Sequence, residues 1–132
     1  MRFVLDTNIV IAAFNGERAV RKKLESIPGE EIGIPTVVLG ELYHGAEHSH
    51  RRDENVAKVA GLRTRFRVVS MSERIARRYG GLRSGLRSRG IVKSDFDLVV
   101  AATALEHGAA VVSDDHALLD GVIYGLASEN WL

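Results

Sequence analysis

The chain has 132 residues, 45% hydrophobic and 27% charged, with a formal net charge of +1 and no cysteine. That length suits one hydrophobic core and is too short for two, so a single domain over residues 1–132 is expected, of ordinary globular rather than disordered or fibrous kind. The missing cysteine excludes a disulfide framework, a thiolate metal site and a thiol nucleophile; with no leader pattern and no apolar run of membrane-spanning length, a cytoplasmic setting is expected.

In chain order, Arg2–Asp6 reads as a short buried strand. Ile9–Phe14 and Glu17–Ser26 read as helices separated by Gly16, and Pro28-Gly29 stops the second. Glu31–Pro35 is a second strand. Thr36 is the expected N-cap of a helix reaching about Glu47; Arg51–Arg65 is a further helix and Arg67–Ser70 a third strand. Ser72 can cap a helix whose Ile75, Tyr79, Leu82 and Leu86 share one face, while Gly80, Gly81 and Gly85 should fray its C-terminal half. Ser94–His107 is the clearest helix, ended by Gly108. Ala109–Ser113 is a fourth strand, and Val122–Leu126 is expected as a short fifth strand at the edge. Strands alternating with helices imply a parallel sheet covered on both faces, where sites form beyond the carboxyl ends of strands.

Four carboxylates interrupt otherwise apolar stretches. Asp6 closes Phe3-Val4-Leu5, Glu41 falls within Val37-Val38-Leu39-Gly40-Glu41-Leu42, Asp97 opens Leu98-Val99-Val100-Ala101-Ala102, and Asp115 follows Ala109-Ala110-Val111-Val112-Ser113. A desolvated carboxylate is costly unless paired, hydrogen-bonded or bound to a cation. Brought together, four acids would repel one another and raise each other's pKa, and a divalent cation that prefers oxygen, Mg²⁺ or Mn²⁺, would relieve that repulsion. Each acid also has a plainer reading. Asp6 can be a helix N-cap, Asp97 can form an approximate capping box with Ser94, and Asp114 and Asp115 can be loop residues before Ala117-Leu118-Leu119. Glu41 is harder to dismiss, because a helical wheel puts it at the edge of the apolar face rather than opposite it. Asp95 shares the helix-dipole explanation but should not point the same way as Asp97.

The small net charge hides a segregation. Residues 51–93 hold 13 of the 18 Lys and Arg with only three acids, whereas residues 94–132 hold no Lys or Arg and seven acids. The segregation predicts a basic surface for an anionic polymer, beside an acidic centre that needs a cation to accept one. The plainer reading, better suited to any single arginine than to the whole block, is that Arg-rich helices present solvated faces. His44 and His48, four apart with Glu41 on the same side, form a rival zinc pattern. The order is not His-Glu-x-x-His and no third histidine is placed nearby, so surface histidines account for the pair. His107 near a helix C-terminus and His116 in a loop need no special role, although His116, beside Asp115, could still touch substrate. Ser113 lacks a His/Asp partner in any nucleophile motif, which argues against acyl transfer.

Val4-Leu5-Asp6-Thr7-Asn8 resembles the first motif of PIN domains. Val38-Leu39-Gly40-Glu41-Leu42-Tyr43-His44-Gly45 resembles the Gly-Glu-Leu motif of VapC-like toxins, and Ser94-Asp95-Phe96-Asp97-Leu98-Val99-Val100-Ala101-Ala102-Thr103-Ala104 resembles their Asp-x-x-Ile-Ala-Ala-x-Ala helix. Val111-Val112-Ser113-Asp114-Asp115 is similar to the late Thr-x-Asp/Asn strand end, and Glu129-Asn130-Trp131 to a common C-terminus. The motifs occur in order from Met1 to Leu132. The resemblance implies a three-layer α/β/α PIN domain with a central parallel sheet of order 3-2-1-4-5. It further implies a Mg²⁺- or Mn²⁺-dependent endoribonuclease, the toxin of a type II toxin–antitoxin pair.

Carried over motif by motif, Asp6, Glu41, Asp97 and Asp115 take the catalytic and metal-binding positions, with Asp114 competing for the last. Ser113 replaces the usual threonine and keeps its hydroxyl; with Thr7, Asn8 and Asp114 it supports the acids or touches substrate. Arg74, Arg77, Arg78 and Arg83 would hold the RNA backbone. The implied partners are RNA, a VapB-like antitoxin and a second copy of the chain, with operator DNA reached only through the antitoxin. The antitoxin is expected to present an arginine to the acids and apolar side chains to faces near Ile9, Phe14 and Leu42. The alternative is a PIN-fold binding module that acts mainly through antitoxin and operator, with little nuclease activity. Receiver and haloacid-dehalogenase-like domains fit less well, because the third strand ends Val68-Val69-Ser70-Met71 without an aspartate and Asp6-Thr7-Asn8 lacks a second acid.

Overall fold

Phe3–Leu5 (β1) is buried at every position because it lies at the middle of a sheet with helices on both faces. The computed structural model describes residues 1–132. Around β1 stand β2 (Ile32–Pro35), β3 (Arg67–Val69), β4 (Ala110–Val112) and β5 (Ser128–Glu129), all parallel, in the order β3-β2-β1-β4-β5. The expected α/β/α architecture with order 3-2-1-4-5 is therefore the observed one. Register decides what meets at the carboxyl edge. Leu5 lies opposite Val112, and the Asp6 amide donates to the Val112 carbonyl at 2.9 Å, so the residues that follow, Asp6 and Ser113, emerge side by side.

The helices are α1 (Thr7–Phe14), α2 (Arg18–Ser26), α3 (Thr36–Glu47), α4 (Arg52–Arg65), α5 (Glu73–Ser88), α6 (Asp95–Glu106) and α7 (His116–Leu119). Asp6 caps α1, Ser72 caps α5, Ser94 caps α6 and Asp115 caps α7, each accepting from a backbone amide of the first turn. In α6 Leu98, Val100, Ala101, Ala102, Thr103 and Ala104 are all buried, so this helix is enclosed on nearly every side. Thr103 satisfies its hydroxyl by donating to the Val99 carbonyl at 2.7 Å. One apolar cluster joins β1, β2, β4, α1 and α6 to Trp131, whose ring meets Phe3 edge-on at 5.2 Å between centroids. No helix is long and apolar enough to cross a membrane.

Three local expectations are corrected. Thr36 is the first residue of α3 and Pro35 its cap, with no side-chain hydrogen bond; the proline ends β2 and leads directly into the helix. The helix α5 does not fray at its glycines but runs to Ser88, because Leu86 is buried and Tyr79 and Leu82 pack against the core. Val122–Leu126 is not a strand. Gly121 before it and Gly125 within it take φ +74° and +79°, conformations outside an extended strand, and the edge strand forms later at Ser128–Glu129.

Close backbone approach makes one glycine testable. A Cβ on Gly29 would run into the carbonyl of Arg65, at the junction between α4 and β3, whereas a Cβ on Gly61 in α4 meets nothing within 4 Å. Gly29→Ala should destabilise the chain by roughly 2–4 kcal/mol, and Gly61→Ala should be neutral or stabilise it by up to about 1 kcal/mol. Paired urea melts check the contrast.

Candidate metal centre

Three segments deliver acids to one edge of the sheet. The end of β1 supplies Asp6, the end of β4 supplies Asp115, and the first turn of α6 supplies Asp97. One carboxylate oxygen from each lies within 4.8 Å of the others. Asp6 and Asp97 are 4% and 8% exposed, so two of the three are buried residues. Hydrogen bonds fix their orientation. Asp6 accepts from the Thr7 amide at 2.9 Å and from the Ser113 hydroxyl at 2.7 Å. The Ser113 oxygen in turn accepts from the Asp115 amide at 2.9 Å, so one hydroxyl links two of the acids. Asp115 closes its own loop by accepting from the Ala117 amide at 2.9 Å.

Burial raises the pKa of Asp6 most. Ser113 and Thr7 oppose it by hydrogen bonding the charged form, and Asp97 and Asp115 add repulsion. Asp97 is raised by burial as well. Ser94 opposes this by hydrogen bonding, Asp115 and Glu41 push upward, and the Lys93 ammonium pulls downward.

Glu41 is exposed on α3 and stands outside the group of three, at the rim of the same cleft. Asp114 is exposed and outside the group too, so of the two competing acids it is Asp115 that the fold brings to Asp6 and Asp97. Thr7 and Asn8 line the cleft, a space of about 490 Å³ shared with Ile11, Ser94 and Phe96. Thr7 Oγ1 and Asn8 Oδ1 are buried there without a hydrogen-bond partner. A centre made only of oxygen donors, with unpaired oxygens beside it, fits a hard divalent cation that keeps several waters, and does not fit a soft metal.

Other expected groups lie apart. His44 and His48 are exposed and pack ring to ring at 4.5 Å between centroids, with no third ligand assembled round them. Arg74 and Arg78 both engage Glu106, at 3.2 and 2.9 Å, in a groove shared with Arg77 and Leu82. Glu106 ends α6 while Asp97 begins it, which puts that groove about 13 Å along the helix from the acids. Arg83 lies nearer, 3.7 Å from Asp95, whose carboxylate also accepts from the Tyr79 hydroxyl at 2.8 Å. Asp95 thus faces away from Asp97. One residue escaped the sequence reading: Lys93, whose side chain is 6% exposed and pairs with Asp120. Its signal was its position, as the last cation in the chain and directly before the clearest helix.

A family model described as "PIN domain" matches residues 3–121. The chain is 29% identical over 133 residues to Ribonuclease VapC2 of Rickettsia felis, covering 99% of this chain and 98% of that protein. It is also 29% identical to a tRNA(fMet)-specific endonuclease VapC of Shigella flexneri, with 99% and 98% covered. Among solved structures, VapBC2 from Rickettsia felis bound to a promoter DNA fragment matches at TM-score 0.89 and 28% identity, over the whole of both chains. DNA-bound VapBC from Salmonella typhimurium matches at TM-score 0.90 and 27% identity, covering 100% of this chain and 99% of that one.

The raised carboxylates set a pH dependence. A folded chain that binds these protons more tightly than the unfolded chain draws stability from them below the ordinary carboxylate pKa, and loses it as pH rises through the raised values. Without divalent cation, Asp97→Asn should therefore raise the melting temperature by a few degrees at neutral pH, with the gain shrinking toward pH 4. Ser113→Ala should act oppositely, costing about 1–3 kcal/mol by leaving the buried Asp6 oxygen without its donor. Thermal melts in chelator at both pH values check each sign.

Proposed function

This chain belongs to the PIN-domain family, and from that premise we propose that it is an endoribonuclease that depends on Mg²⁺ or Mn²⁺ and serves as the toxin of a toxin–antitoxin pair. The observation that carries the reading is the convergence of Asp6, Asp97 and Asp115 at coordinating distance beyond the sheet edge. Relatives and structural neighbours named as ribonucleases and as VapBC complexes support it.

Asp6 and Asp97, the most buried acids, would hold the cation, with Asp115 completing the cluster and Glu41 joining from the rim. A bound divalent cation supplies a Lewis acid that makes water a better nucleophile at neutral pH and offsets charge on the phosphoryl group. The protein's own part is orientation. Ser113 and the Thr7 amide aim Asp6, the α6 cap positions Asp97, and Thr7 and Asn8 would support the acids from the wall of the cleft. The groove of Arg74, Arg77 and Arg78, with Arg83 nearer the acids, would hold RNA phosphates and contribute affinity rather than sequence choice.

Antitoxin has a place beside the acids. Ile11, Phe14, Leu42, Ala46 and Val59 line a groove that shares Ile11 and Glu41 with the acidic cleft. An apolar segment lying there would bring an arginine of the same chain within reach of the carboxylates, where its planar fork would replace the divalent cation. A VapB-like antitoxin, a homodimeric toxin and operator contact made only through the antitoxin complete this reading, by analogy with the VapBC neighbours.

Asp6→Asn or Asp97→Asn should reduce RNA cleavage by roughly two orders of magnitude while the chain stays folded. Undiminished cleavage in either would remove the acidic centre from the reaction. A wild-type chain that binds Mn²⁺ but cuts no RNA would leave the binding-module reading instead. Neutralising Arg74, Arg77, Arg78 and Arg83 should flatten the salt dependence of RNA binding, by a slope of about 0.7 for each lost single-strand phosphate contact. An unchanged slope would send the basic surface to another partner.

A further inference from the structure

Asp115 sits on the least secure element of the centre. It caps α7, a single turn of four residues with one buried side chain, Leu118. So short a helix has no stability of its own, and its capping acid is pushed away by two neighbouring carboxylates. Something outside α7 must hold it.

Lys93 does this. Its side chain is 6% exposed, and its Nζ donates to the Ala117 carbonyl at 2.6 Å and to Asp120 Oδ2 at 2.7 Å. Ala117 is also the residue whose amide holds the Asp115 carboxylate, so a single residue carries both the lysine contact and the contact to the acid. Asp120 closes the far end of α7, and its other oxygen accepts from the Val122 amide at 3.1 Å. At its own end Lys93 directly precedes Ser94, the cap of α6, whose hydroxyl accepts from the Asp97 amide at 3.1 Å. The lysine therefore joins the beginning of the Asp97 helix to both ends of the Asp115 turn. The pairing also holds the Asp120 carboxyl below its ordinary range, chiefly through the hydrogen bond from Lys93.

We propose that Lys93 is the positioning residue of the acidic centre, tying α7 to α6 so that Asp115 is held against Asp97 and a divalent cation finds its third carboxylate in place. The proposal rests on the nuclease reading for what the centre is used for, but not for the clamp itself.

The sign of its effect separates positioning from simple electrostatics. Removing a positive charge from beside three carboxylates should tighten a divalent cation if only charge mattered. Loss of the clamp should weaken it, because the third ligand is no longer fixed. Mn²⁺ binding to the purified chain, followed by electron paramagnetic resonance of the free ion, reads this without any cleavage assay. Lys93→Met should weaken Mn²⁺ about tenfold, and Lys93→Gln, which keeps a donor for the Ala117 carbonyl and covers the case where the methionine variant fails to fold, should weaken it less. Binding that is unchanged or tighter in the folded variants overturns the proposal. Amide exchange in the cation-free chain provides the second measurement. Asp120→Asn should speed exchange across residues 115–120 while leaving the middle of α6 protected, and unchanged exchange also overturns the clamp. A wild-type chain that binds no Mn²⁺ would overturn the nuclease reading, and exchange alone would then decide the clamp.

Discussion

Parallel pairing of β1 with β4 sets the spacing on which the centre depends. Because Leu5 lies opposite Val112, the next residue on each strand faces the other across one strand-to-strand distance. Asp6 and Ser113 exchange a hydrogen bond there, and Ser113 hands the order on to Asp115. A slip of one residue would turn the following side chains to the opposite face and break that link. Both strands are buried, and the apolar packing of Val4, Leu5, Val111 and Val112 excludes the slip. Core packing and acid placement are thus one constraint.

The same arrangement costs the fold stability. Desolvation and mutual repulsion raise both Asp6 and Asp97, and the protein offsets this chiefly with directed donors, helped at Asp97 by the Lys93 ammonium. Ser113, the Thr7 amide and the α6 terminus each stabilise a negative charge, the last because a helix N-terminus carries partial positive charge. These donors compensate only in part, so the cluster keeps negative charge that a cation of suitable shape would offset. A divalent ion and an arginine fork answer the same unmet charge, which is why a nuclease and its inhibitor would compete for one place.

Much of this was legible in the sequence because burial leaves a local trace. Asp6 and Asp115 interrupt or follow apolar runs at strand ends, and Asp97 sits between a serine cap and an alanine-rich helix. What was not legible depends on contacts distant along the chain. A helical wheel places Glu41 at an apolar edge, yet it stands exposed at the rim of the cleft. Val122–Leu126 has the apolar content of a strand, but Gly121 before it and Gly125 within it take φ values that bend the chain instead. The link from Lys93 to Asp120 spans 27 residues, and that from Arg78 to Glu106 spans 28, so neither has a local signature.

That last pair changes the meaning of the charge segregation. Counting residues, the block from 51 to 93 is strongly basic and everything after it acidic, as though two opposed surfaces faced each other. The fold interleaves them. The helix α6 carries Asp97 at its N-terminus, where the dipole favours an acid, and Glu106 at its C-terminus, where the dipole opposes one. Glu106 is tolerated because Arg74 and Arg78 flank it, so part of the groove's positive charge is spent inside the protein. Arg77, which makes no ion pair, retains its charge for a ligand, as does Arg83 once its loose 3.7 Å contact with Asp95 is discounted for exposure. The positive charge left on α5 for an approaching polyanion therefore includes that of Arg77 and Arg83, while the cleft at the Asp97 end of α6 is itself negative. A phosphate backbone held by those arginines would enter the cleft only with a cation there to offset the acids.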